Sequence, residues 1–223
     1  MTIFPGSIYG GMGRLGVGKQ TSAAAVWWLS GGISAANCIA AYQPKGAASF
    51  DASLVNVANP GTLNITQYIS PTWDASAGWT GGGGSYLLVP YVGINQNTTM
   101  IARYTSPVTS GCVFAGQTNS PNTYFNFLPH NSMWNTTSWN LYTEIKDGIG
   151  GFVGNKVYVN KNIVAAFTDA TWSLDSRVAI LNRWRKTALS EWGYSGTVAA
   201  VALYNIRLST DQLNGLTDAM AAL

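Results

Sequence analysis

An all-β sandwich or barrel, folded as a single domain, is the fold class that this sequence predicts, and three observations predict it. Charged residues are only 9% of the 223 residues, while Gly, Asn, Thr and Ser fill the intervals between apolar and aromatic residues. That is the mix of short strands and tight polar turns, not of amphipathic helices. From Ser85 onward, short runs rich in β-branched and aromatic residues arrive about every ten positions, parted by Gly, Asn, Pro or Ser. The length suits one large β domain.

Taken in order, residues 1–35 read as a glycine-rich arm, with a short helix expected over residues 22–29. The arm contains "GGMGRLGVGKQTS", in which Gly11 to Gly16 spells G-x-G-x-x-G and Gly13 to Lys19 spells G-x-x-x-x-G-K. A phosphate loop needs a Ser or Thr after its Lys and a buried strand before its glycines. Gln20 follows Lys19, and Pro5-Gly6 interrupts the preceding stretch. A dinucleotide site needs an acid about 20 residues on, and none comes before Asp51. No nucleotide site is expected. Ile3, Phe4, Ile8, Tyr9 and Leu15 alternate with glycines, too sticky to sit in water and too flexible to form a core. They are expected to be an assembly element laid on other subunits or on copies of the chain, the alternative being an arm folded back over its own sandwich.

Residues 37–79 read as mostly loop, with turn clusters "NPGTLN" and "SPTWDASAGW" and one helical candidate over residues 49–57. Then come the strand signals "SYLLVPYV", "TTMIARYT", "GCVFAGQ", "TYFNFLP", "SWNLYTEI", "GGFVGNKVYVN", "NIVAAF" and "RVAILN". In "GTVAAVALYNIRL" both alternating sets are apolar, Val198, Ala200, Ala202 and Tyr204 on one side and Ala199, Val201 and Leu203 on the other. Such a strand is central and covered on both faces. Ser209 with Gln212 forms a capping box, and Leu213, Leu216, Met220 and Leu223 recur at helical spacing, so a short helix closes the chain.

"GNKVYVNKNIVAAF", "VAILN" and "YSGTVAAVALYNIRLSTDQLNGL" together resemble the closing half of laminin-G-like, concanavalin A-like jelly rolls. "AAYQPKGAASFDASLVNVANPGT" and "PTWDASAGW" are similar to that family's opening. The resemblance covers residues 37–223 and is nearest to versions found among phage and prophage structural proteins. It implies a two-sheet antiparallel jelly-roll sandwich over residues 36–223 and a virion surface or tail-associated role without catalysis, with surface glycan as a further partner. The alternatives are a free lectin module and a glycoside hydrolase. Lys161 and Asn182 stand where the family has turn glycines, so altered turn geometry is expected there.

The residues argue against hydrolysis. Cleavage needs two flanking carboxylates, and Glu144 and Asp147 in "EIKD" fall on opposite faces of a strand. His130, the single histidine, reads as a turn residue in "FLPHNS". Calcium, which the resemblance allows at the rim, would use Asp147, Asp169 and Asp175, but no D-x-D-x-D spacing gathers them, and no cofactor or metal is expected. Trp27, Trp28, Trp73 and Trp79 match core segments. Trp134, Trp184 and Trp192 lie in loop-like stretches, so with Arg185 and Tyr194 they are the expected ligand contacts. A net charge of +3 with only Arg183, Arg185 and Lys186 clustered predicts no nucleic-acid partner. No apolar run is long enough to insert in a membrane. Cys38 and Cys112 read as one bridge or, preferably, two buried thiols.

Overall fold

The computed structural model describes residues 26–82, 84–91, 93–105, 111–117, 124–128, 131–134, 138–141, 145, 147–167, 173–174, 177–182, 184–185, 188–189 and 193–223. The first strands are β1 (Cys38–Tyr42), β2 (Gln67–Ile69), β3 (Thr72–Asp74), β4 (Gly78–Thr80), β5 (Tyr86–Val89) and β6 (Thr99–Thr105). Next come β7 (Phe114–Gln117), β8 (Tyr124–Phe127), β9 (Asn131–Trp134), β10 (Ser138–Leu141), β11 (Asp147–Val153) and β12 (Lys156–Val159). The last are β13 (Asn162–Ala166), β14 (Val178–Ile180), β15 (Trp184–Arg185), β16 (Ala188–Leu189) and β17 (Thr197–Tyr204). Two 3-10 turns, at Trp27–Leu29 and Ala35–Asn37, one α-helical turn, α1 (Phe50–Ser53), and one longer helix, α2 (Thr210–Ala221), complete the described elements.

Two antiparallel sheets face each other, as expected of an all-β sandwich. The first runs β13-β12-β11-β6-β17-β4-β3, with β1 added beside β17, and the second runs β10-β9-β8-β7-β14-β5-β2. Between them Phe114, Phe125, Phe127, Leu87, Val178 and Ile180 from the second sheet meet Tyr104, Phe152, Val157, Val201 and Leu203 from the first. The phenylalanines stack, Phe114 on Phe127 at 5.1 Å between ring centroids, which packs large planes without leaving gaps.

The outer face of the first sheet is covered by α2, through Leu213, Leu216 and Met220 against Ile101, Ala202 and Tyr204. Ser209 and Gln212 form the expected capping box. Strand β17 is therefore apolar on both faces, but a bulge between Val198 and Ala200 regroups them. Val198 joins Val201 and Leu203 in the inter-sheet core, while Ala200, Ala202 and Tyr204 face the helix. Strict alternation missed this because a bulge adds one unpaired residue.

Four strands occupy residues 37–79, where mostly loop was expected. β1 shows no period because both its faces are buried, Ala40 and Tyr42 toward the second sheet and Cys38 and Ala41 toward α2. β2, β3 and β4 have three residues each, too few to show a period. The helix expected over residues 49–57 is the single turn α1, capped by Ser49, and within residues 22–29 the described part is a 3-10 turn at Trp27–Leu29. "NSMW" is a strand, β9, not a loop.

Residues 26–34, assigned to the arm from the sequence, belong with the sandwich. Trp27 and Ile33 are buried in the helix-side cluster, and Tyr204 donates its hydroxyl to the Trp28 carbonyl at 2.9 Å. A Cβ on Gly31 would stand 2.7 Å from the Gln212 carbonyl oxygen, so only glycine lets this segment lie on α2. The arm residues Ile3, Phe4, Ile8, Tyr9 and Leu15, and the whole glycine loop, lie outside the described residues. Cys38 and Cys112 are both buried and neither is in a disulfide, and burial pushes the Cys38 thiol up to about 12.

The β12–β13 turn keeps glycine-like geometry despite Lys161. Asn160 and Lys161 adopt φ of 47° and 69°, a two-residue hairpin turn that glycine would enter without strain. Asn160 tolerates this, and its Oδ1 accepts from the Ile149 amide at 2.9 Å. Lys161 is strained, and its ion pair to Asp218 is exposed at both ends, where such pairs contribute little. Lys161→Gly is expected to stabilise the fold by about 0.5–1 kcal/mol, the left-handed strain less glycine's entropy cost. A urea midpoint that falls in the variant rejects this.

Candidate functional site

Hollows built from described residues lie on two parts of the surface. The first, about 380 Å³, lies between α1 and β2 and is lined by Asp51, Leu54, Val55, Asn64, Ile65, Thr66 and Tyr68. Leu54 and Ile65 form a buried floor, while Asp51, Thr66 and Tyr68 are exposed at the rim.

The chain folds this way locally because Asn56, fully buried, replaces a missing strand partner. Its Oδ1 accepts from the amides of Ala41 at 3.0 Å and Ala58 at 3.1 Å, and its Nδ2 donates to the Ile39 carbonyl at 3.2 Å. These bonds tie the segment after α1 to β1. Asn64 Oδ1 accepts from the Asn56 amide at 3.0 Å, and Tyr42 donates its hydroxyl to the Leu63 carbonyl at 2.6 Å. Tyr68 stands on β2, the edge strand of its sheet, 37% exposed. Phe50 meets its ring edge-on at 5.5 Å and an interplanar angle of 78°, which fixes the tyrosine plane.

The second hollow is a polar groove on the outer face of the first sheet, beside the end of α2. One half, about 300 Å³, is lined by Arg103, Tyr104, Thr105, Asp147, Gly148, Ile149, Asn160 and Ala221. The other, about 200 Å³, is lined by Lys45, Ser76, Ala77, Arg103, Thr105, Thr197 and Ala199. Strand register sets this up: Asp147 pairs with Thr105, Thr105 with Thr197, Thr197 with Thr80 and Thr80 with Thr72. The Thr80 and Thr197 hydroxyls are 3.0 Å apart and bonded. Arg103 donates from Nη1 to the Met220 carbonyl at 2.9 Å, at the C-terminal end of α2. Asp74, at the β3–β4 turn, is held below the usual carboxylate range by the Ser76 hydroxyl and amide.

The expected ligand contacts are placed differently. Tyr194 is fully buried and its hydroxyl donates to the Thr105 carbonyl at 3.0 Å, so it is a core residue and not a contact. Its sequence setting, "SEWGYS", resembled a loop because the turn-rich stretch hides a residue that plugs the sandwich end. Trp134 is in register with Phe125 on β9; Trp184 and Arg185 form β15, which pairs with β16 and lies against β7. Trp192 lies outside the described residues, as do His130, Glu144, Glu191, Asp169 and Asp175. Asp147 is exposed at the start of β11, and among the described residues no three His, Cys, Asp or Glu side chains gather as metal ligands. Phe50, Asp51, Asn64 and Tyr68 were not legible as a site in the sequence, because long-range bonds of Asn56, Tyr42 and Trp79 bring them together. Sequence reading missed the threonine row because cross-strand register is not written in local pattern.

No family model matches the chain, and no curated protein sequence matches it. Solved structures do resemble it. Domain 4 of a GH43 extracellular arabinanase from Geobacillus stearothermophilus, in complex with arabinotriose, aligns with a TM-score of 0.57 at 13% identity, over 81% of this chain and 98% of that domain. Trypanosoma rangeli sialidase aligns at 0.52 and 13% identity, over 82% of this chain and 32% of its own. A mutant of that sialidase displaying trans-sialidase activity aligns at 0.51 and 16% identity. This chain thus spans about a third of the sialidase chains it matches. At such identities the likeness is one of fold, a two-sheet β-sandwich.

Proposed function

We propose that this chain is a carbohydrate-binding β-sandwich and that a sugar ring lies against Tyr68. The observation that carries the reading is an exposed aromatic plane, braced edge-on by Phe50, over a hollow whose rim holds Asp51, Asn64 and Thr66. A sugar presents an apolar face of C–H groups and a ring of hydroxyls. The first stacks on an aromatic plane, and the second needs acceptors and donors around the edge. Asp51 is an acceptor, the Asn64 Nδ2 a donor and the Thr66 hydroxyl both. The similarity to a domain solved with arabinotriose adds support.

Binding without hydrolysis is part of the proposal. Among the described residues Asp51 is the one carboxylate lining this hollow, whereas hydrolysis by a carboxylate pair needs two. Placement on a virion surface rests on the sequence resemblance over residues 37–223, and the assembly role of the arm on its apolar residues Ile3, Phe4, Ile8, Tyr9 and Leu15.

Calorimetry with arabinotriose and a panel of neutral oligosaccharides tests the site. Tyr68→Ala is expected to weaken binding of whichever sugar binds by about ten-fold, or roughly 1.4 kcal/mol, with Tyr68→Phe retaining most of it. Equal affinities for Tyr68→Ala and the parent chain reject the site. Reducing ends released from arabinan reject the binding-only role.

A further inference from the structure

The polar groove on the first sheet suggests a second ligand. Lys45 and Arg103 converge on its 200 Å³ half together with the hydroxyl side chains Ser76, Thr105 and Thr197. Among the described residues no carboxylate lines that half, although Asp74 stands behind its wall and accepts from the Ser76 hydroxyl and amide, and neither cation makes an ion pair. Arg103 spends Nη1 on the Met220 carbonyl, and a guanidinium has further N–H groups to offer. Two like charges facing one hollow repel each other, and an anion placed between them reverses the sign of the interaction.

The other half, across Arg103 and Thr105, has the opposite character. Asp147 and Asn160 line it, an acceptor and a carboxamide suited to hydroxyl groups. The groove thus offers a cationic end and a hydroxyl-accepting end separated by one arginine. A simple inorganic anion uses only the first end. A ring that carries an acid group and several hydroxyls uses both.

We propose that this groove is a binding site, distinct from the Tyr68 hollow, for an acidic sugar unit, with its carboxylate or sulfate between Lys45 and Arg103 and its hydroxyls toward Asp147 and Asn160. The proposal rests on the carbohydrate reading for the kind of ligand, and on the groove alone for its charge. Cation-to-oxyanion hydrogen bonds are short and strong, and the hydroxyls of Thr105 and Thr197 line the remaining wall.

The test is titration of the full chain, followed by backbone NMR, with trigalacturonate, galactotriose and inorganic sulfate as separate probes. Trigalacturonate is expected to bind about ten-fold tighter than galactotriose and to shift the amides of Thr105 and Thr197, with the preference shrinking between about 0.05 M and about 0.5 M salt. Lys45→Gln removes a side chain that makes no hydrogen bond among the described residues, and it is expected to abolish most of that preference; Lys45→Arg should keep it. Tyr68→Ala should leave it intact, which separates this site from the first. Equal binding of the acidic and neutral trimers, or a preference that survives Lys45→Gln, overturns the proposal. Sulfate binding without binding of either trimer overturns the sugar assignment, and a trigalacturonate preference lost in Tyr68→Ala leaves the first site standing and removes this one.

Discussion

Trp79→Ala is expected to lower the stability of the sandwich by about 3–5 kcal/mol, the range for removing a large aromatic side chain from a packed core. Trp79 is fully buried on β4, 6.4 Å between centroids from the Tyr42 ring. Its indole N–H donates to Ser53 Oγ at 2.7 Å, and Ser53 Oγ in turn donates to the Phe50 carbonyl. The ring therefore fills the space between the sheets and also anchors the last residue of α1, the turn that carries Phe50 and Asp51. In a domain of this size each kcal/mol is worth roughly 2–4 °C in Tm, so calorimetric melting should show a fall of many degrees. Trp79→Phe keeps most of the packing and loses the hydrogen bond, at about 1 kcal/mol. A melting temperature for Trp79→Ala within about 2 °C of the parent would mean that the ring is not the keystone its burial indicates.

Asn56→Ala should be nearly as damaging, for a different reason. The carboxamide serves two backbone amides and one carbonyl in a buried setting, and each group left unpaired costs about 1–3 kcal/mol. A total of about 3 kcal/mol or more is expected. Because the Asn56 backbone amide also donates to Asn64 Oδ1 at 3.0 Å, loosening of residue 56 should reach the segment that shapes the Tyr68 hollow. Sugar binding is expected to weaken even at temperatures where the variant is still folded. Urea unfolding together with calorimetry separates the two effects. Unchanged affinity in a clearly destabilised Asn56→Ala would show that the hollow does not depend on this network.

The closing elements were legible residue by residue. Ser209 and Gln212 specify their own capping box through local hydrogen bonds, and the spacing of Leu213, Leu216 and Met220 points to the one stripe that a helix can bury. The strands β5, β6, β8, β12 and β13 were legible too, because turn residues frame them and their apolar content needs no distant partner to be recognised. β1 was legible only through the family resemblance of the stretch that begins "AAYQ", since "CIAAY" is apolar on both faces and owes its strand form to β17, far along the chain. The candidate contact Tyr194 was misplaced for the same reason: only the packed sandwich shows that its ring is enclosed and its hydroxyl spent on Thr105.

By itself, then, the sequence determined the class of fold, the two-sided burial of β17 and the closing helix, all of which follow from periods and caps that span a few neighbouring residues. Only the tertiary structure decided the bulge that regroups β17, the attachment of residues 26–34 to α2, the Tyr68 hollow and the groove between Lys45 and Arg103. Each of these depends on which strand lies beside which and in what register. Register is set by the fit of whole faces across the core, an energy shared among many distant residues and written in no single stretch of the chain.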